Sequence, residues 1–172
     1  MTIESFPDDG ADFNPKGMYK DLINGIHHVR LESTEKSIIN GGPETLKGHP
    51  QIVWKFKVLD GPSAGSGLFT STPLSGYIMS KKSPGVRVNM WEFTRKIVAA
   101  LDPLWTNFAE FDRDALIGRE AEINIETKKN PDGTTSVWVN KVLWIRPYVA
   151  AGSAGPTIVG GKDENDVPIH FL

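Results

Sequence analysis

The side chains that could do chemistry are few. There is no cysteine in the 172 residues, which removes thiol nucleophiles, thiolate metal ligands and disulfides, and fits a reducing cytoplasm. The four histidines are His27, His28, His49 and His170. His27 and His28 are neighbours on an expected strand, so they point to opposite faces and do not converge on one metal. One is expected near the core and the other in solvent. Asp112 and Asp114 have no third ligand placed beside them. No HExxH, Walker or GxSxG motif occurs. The stretch GPSAGSG (61–67) lacks the Lys-Ser/Thr of a phosphate loop and joins two strands, so it reads as a turn. The sequence predicts no enzyme, no metal and no cofactor.

What remains is a set of cations interleaved with aromatics. A surface for a single nucleic-acid strand needs cations for phosphates and exposed rings for bases to stack on. Lys55 and Lys57 protrude from a strand on the face opposite Trp54 and Phe56, which are expected in the core. Tyr77 is close in sequence to Lys81, Lys82 and Arg87. Lys128, Lys129 and Lys141 fall on the last hairpin. There Trp138 stands between Val137 and Val139, which look core-directed, so Trp138 is expected to point outward. Trp144 sits where the alternation slips, and its face is left open between core and stacking platform.

The elements that must position these residues follow from periodicity. The stretches 25–39, 51–60 and 67–74 alternate as strands. The sequence NMWEFTRKIVAAL (89–101) has helical spacing, with Asn89 and Glu92 as a capping box and Pro103 as its stop. A short helical turn is expected at 112–116. The stretches 119–129 and 134–148 are strands joined by the turn NPDG (130–133). Five antiparallel strands with one main helix between the third and fourth is the order of an OB-fold barrel, whose binding face is strands 2 and 3 flanked here by loops 40–50 and 130–133. Other five- or six-stranded barrels and sandwiches fit the same string.

Charge is unevenly spread. Glu4, Asp8, Asp9 and Asp12 give residues 1–12 a charge of −4, and Lys162 against Asp163, Glu164 and Asp166 gives 149–172 a charge of −2. The body between them is therefore basic, although the whole chain is at −2. The expected organisation is an acidic N-terminal segment (1–16), a folded domain (17–148), a flexible Gly-rich linker (149–162) and an acidic tail (163–172). No apolar run approaches the ~20 residues that a membrane span needs. The acidic opening MTIESFPDDGADFNP does not read as a signal peptide.

The tail DENDVPIHFL resembles the C-terminal tip of bacterial and phage single-stranded DNA-binding proteins, several acids followed by Ile-Pro-Phe. In the resemblance Asp163, Glu164 and Asp166 are the acids, Val167-Pro168 matches Ile-Pro, and Phe171 is the aromatic. Ile169 and His170 interrupt the pattern and Leu172 follows it. The body is similar to phage early proteins with OB-type DNA-binding domains, through SFPDDGADFNPKGMY (5–19), WKFKVLDGPSAG (54–65) and the Leu-Ile-Gly-Arg-Glu-Ala run at 116–121. The resemblance implies a sequence-independent single-stranded DNA-binding protein of replication, recombination and repair, acting in the host bacterial cytoplasm, whose tail recruits partner proteins. The alternative is a non-catalytic structural or assembly module of barrel or sandwich type.

Overall fold

The computed structural model of the chain describes residues 1–15, 26–61, 63–133, 135–139 and 145–149. In chain order the elements are β1 (Ile3–Ser5), β2 (Ile26–Ile38), β3 (Pro50–Val58), β4 (Gly67–Pro73), β5 (Tyr77–Met79), β6 (Arg87–Asn89), α1 (Trp91–Leu101), β7 (Glu110–Asp112), α2 (Arg113–Leu116), β8 (Glu120–Lys129), β9 (Thr135–Val139) and β10 (Ile145–Pro147).

Alternation decides the sheet. On β3, Ile52, Trp54, Phe56 and Val58 are buried while Lys55 and Lys57 are exposed, as a period of two requires. On β2, Val29 and Leu31 are buried, and then the register shifts between Leu31 and Ser33. Glu32 is the extra residue of this bulge, and beyond it Thr34 falls opposite Trp54. The strands form an antiparallel path β10–β8–β2–β3–β4, with β9 also pairing β8. The helix between β4 and β8 packs against β4, β8 and β10.

This is the expected β-rich chain with five sheet positions and one main helix, but the sheet is not closed into the expected barrel. No ladder joins β4 to β9 or β10 among the described residues. Two features oppose closure. Strand β4 ends at Pro73, which has no N–H to donate. The register along β8 also shifts: Ile125 pairs with Val139 and Ile123 with Ile145, so two steps along β8 are matched by six along the chain opposite. Even so, Cα atoms of β9 come within 8 Å of β4.

The acidic N-terminal segment, expected to stand apart from a domain beginning at residue 17, is built into the fold. β1 pairs antiparallel with β7. Phe6 stacks on Phe111 at 5.5 Å, and Phe111 lies against Trp54 at 6.1 Å. Acids of the segment meet cations of the body, one of them buried. Glu4, itself buried, accepts from Arg113 at 2.8 Å and from Lys36 at 2.9 Å. Asp8 pairs with Arg95, which is wholly buried in α1.

The helix is covered on every side from Phe93 to Leu101. Thr94 ties it to the sheet, donating to the Pro73 carbonyl at 2.6 Å and sharing a hydrogen bond with Thr72, whose hydroxyl also accepts the Trp54 indole N–H at 2.7 Å. The expected capping box is absent. Met90 is the N-cap and makes no side-chain cap bond, because Asn89 is held in β6 opposite Tyr77 and Glu92 turns to Arg95. Lys96 is also buried. Burial pushes its ammonium down from 10.5 to about 6, with the Glu92 charge opposing.

Candidate nucleic-acid interface

The outward face of β3 and β4 is assembled by register. Lys57 stands between Arg30 of β2 and Gly67 of β4, and Lys55 between Ser33 and Phe69. Phe69 is 70% exposed, although its neighbour Leu68 is in the core. A large aromatic ring therefore lies in solvent directly across from Lys55. Lys55 reaches Glu35 at 3.6 Å, with both side chains more than half exposed, a pairing that water screens strongly. Lys57 makes no ion pair with any described residue.

A second set of predicted residues sits on the β5–β6 ribbon. The Arg87 guanidinium carbon lies 4.3 Å from the centroid of the Tyr77 ring, a cation–π contact made across the two strands. Lys81 and Lys82 are exposed in the turn that joins them. The ribbon is rooted firmly. Met90 N donates to the Gly76 carbonyl at 3.0 Å, and Thr45 Oγ1 donates to the Tyr77 carbonyl. Gly76 has φ +97°, and a Cβ there would stand 2.8 Å from Leu46 and 3.1 Å from the His49 ring. His49 Nδ1 lies 2.8 Å from Ser75 Oγ. The loop 40–49 is thus docked on the base of the ribbon, at the end of the β3–β4 face where Leu74 N donates to the Pro50 carbonyl.

Neither the protein-family models nor the curated proteins give a match to this chain.

Several predicted residues are placed only in part. Lys128 and Lys129 pair with Ser136 and Thr135, and Trp138 pairs with Glu126. Lys141, Trp144 and the tail residues Asp163, Glu164, Asp166, Val167, Pro168 and Phe171 lie outside the described residues. Trp54 is core, fully buried and hydrogen-bonded, so it offers no platform. Phe69 was missed. Its signal was present: Leu68, Thr70 and Thr72 share one parity of β4, and Phe69 falls on the other with Ser71.

The histidine pair departs from expectation. Both are part-buried. His28 Nε2 is 2.6 Å from Glu120 and its ring stacks on Tyr148 at 3.5 Å, while the His27 ring lies against Gly61. No group of three or more potential ligands is arranged to hold a metal among the described residues. No helix among them is long and apolar enough to cross a membrane.

Proposed function

We propose that the protein binds single-stranded DNA without sequence preference, through the outward face of β3 and β4. The observation that carries this reading is the pairing of exposed Phe69 with Lys55, next to Lys57. A ring open to solvent among cations is what a base and its phosphates require. Stacking on such a ring contributes roughly 1–3 kcal/mol per base.

The strand order supports an OB-type architecture. The order β10–β8–β2–β3–β4, with the helix between β4 and β8, is that of the barrel opened between its third and fifth strands. β9 approaches β4 at the position of that missing seam. On this reading β3 and β4 are the second and third barrel strands, which form the usual strand-binding face. The docked loop 40–49 is the flanking loop.

The protein serves replication, recombination or repair in a bacterial cytoplasm, as a phage-encoded protein. Its acidic tail, with Val167, Pro168 and Phe171 after Asp163, Glu164 and Asp166, recruits partner proteins. Acids steer it to basic pockets and the Pro-stiffened apolar end fills them.

The test is a fluorescence titration with oligo(dT) at low and high salt, on the full chain and on one ending at Tyr148. Salt-weakened quenching, tighter without the tail, is expected. With Lys55 and Lys57 each neutralising a phosphate, these two alone give a log–log salt slope of about −1.4. No response from either chain at low salt overturns the proposal.

A further inference from the structure

Resting on the reading of β3–β4 as a strand-binding face, we propose that the β5–β6 ribbon engages duplex. The preferred ligand is then a junction, single strand on the sheet and duplex on the ribbon.

The ribbon differs from the sheet face in shape. Residues 81–87 are exposed without a break, so the tip stands clear of the body. Among the described residues, β5 and β6 pair with each other and with no other strand. A two-stranded ribbon is an object that a groove of B-DNA admits.

It also differs in chemistry. The tip reads Lys81-Lys82-Ser83-Pro84-Gly85, and Met79 and Val86, large apolar residues about half exposed, flank it. A single strand lying on a sheet needs rings and cations, and has no use for a proline and two aliphatic side chains at a protruding tip. Proteins that enter the minor groove combine the same two ingredients, Lys or Arg beside apolar wedges such as Met and Pro. Across the ribbon, Arg87 lies beside Met79 and over Tyr77, so guanidinium, thioether and ring form one surface against which a terminal base pair can pack.

The two contacts are held at a fixed offset. From Phe69, β4 continues to Pro73, and Leu74–Gly76 lead from there into the ribbon. Four residues at ~3.3 Å put the Lys55–Phe69 row about 13 Å from the ribbon's end of the sheet. The root does not hinge freely, because Gly76 is enclosed by Leu46 and His49 and its carbonyl is bonded to Met90. A rigid arm beside a strand-binding face selects a ligand that changes from single to double strand at that spacing.

The experiment compares the full chain's affinity for three labelled ligands by fluorescence anisotropy: oligo(dT), a blunt duplex, and the duplex carrying that oligo(dT) as an overhang. The junction is expected to bind about tenfold more tightly than the oligo(dT) alone. In the double variant Lys81→Ala/Lys82→Ala that ratio falls towards one. In Phe69→Ala both affinities fall and the ratio is kept. The tip lysines are exposed, so the double variant folds as the parent does, which circular dichroism checks. A ratio near one in the parent, or an unchanged ratio in the double variant, overturns the proposal. Oligo(dT) binding without junction preference leaves the strand-binding reading standing and sinks this one. Ribbon-dependent binding of the duplex and the junction without oligo(dT) binding sinks the strand-binding reading, and with it the junction, and leaves only the duplex contact of the ribbon. Binding of none of the three ligands sinks both.

Discussion

Arg95, in the middle of the buried helix, is sealed from water by Asp8, 87 residues earlier in the chain. The guanidinium also pairs with Glu92, donates to the carbonyls of Asp8 and Phe108 at 2.9 Å each, and lies 4.4 Å from the centre of the Phe6 ring. A buried charge left unmatched is strongly destabilising. The N-terminal segment is therefore structural. Asp8→Ala is expected to cost about 1–3 kcal/mol, since one partner is lost and the others remain, and a lower urea midpoint registers it.

The Asp8 contribution depends on pH. Burial works to raise its carboxyl, but the Arg95 hydrogen bond and charge, with help from the Gly10 amide and the Trp91 indole, outweigh this and hold it below 3.8. A depressed carboxylate stabilises fully above its unfolded value and loses that contribution as pH falls through the folded one. The difference in urea midpoint between parent and Asp8→Asn is expected to be full at neutral pH and to shrink below about pH 4.

Lys96 carries the opposite sign. Its folded value of about 6 lies below 10.5, so between those values the unfolded chain binds the extra proton. Stability then rises with pH across that window. Lys96→Met is expected to stabilise at pH 7 by about 1–3 kcal/mol and to flatten the rise, as chemical denaturation at several pH values will show.

Two glycines separate backbone strain from crowding. Gly10 has φ +71°, and a Cβ there would meet the Phe108 Cβ at 2.5 Å, whereas Gly85 has φ +82° and open space around it. Gly85→Ala is expected to cost about 1 kcal/mol from the left-handed backbone alone. Gly10→Ala is expected to cost about 2–4 kcal/mol, because Phe108 and Arg95 must also move. Thermal midpoints of the two variants compare them directly.

Trp54 and Phe69 separate core from platform. Trp54→Phe removes the indole N–H from Thr72 and is expected to lower stability by about 1–3 kcal/mol while leaving oligo(dT) quenching in place. Phe69→Ala is expected to leave stability within ~0.5 kcal/mol and to weaken oligo(dT) binding by about five- to a hundredfold.

Much of the sheet was legible because period-two burial is a local signal. Lys55 and Lys57 against Trp54 and Phe56 could be read without knowing the neighbours of β3. What escaped depends on distant partners. Glu4 and Asp8 look like tail acids until Arg113, Lys36 and Arg95 are brought to them. The β5–β6 ribbon has three residues per strand, too few to show a period. The capping box failed because tertiary pairing of Asn89 outcompeted a local hydrogen bond.

The seal on Arg95 also orders events in time. Hairpins β2–β3 and β3–β4 join near neighbours, but Glu4 meets Arg113 across 109 residues. During synthesis the first segment made waits for β7 before its strand has a partner strand. The β2–β3–β4 part of the sheet can assemble earlier, with the cation of the helix still hydrated. Docking of the N-terminal strand is then a late step of folding, slowed by the loop it must close. A protease added during refolding would find residues 1–12 cleavable longest.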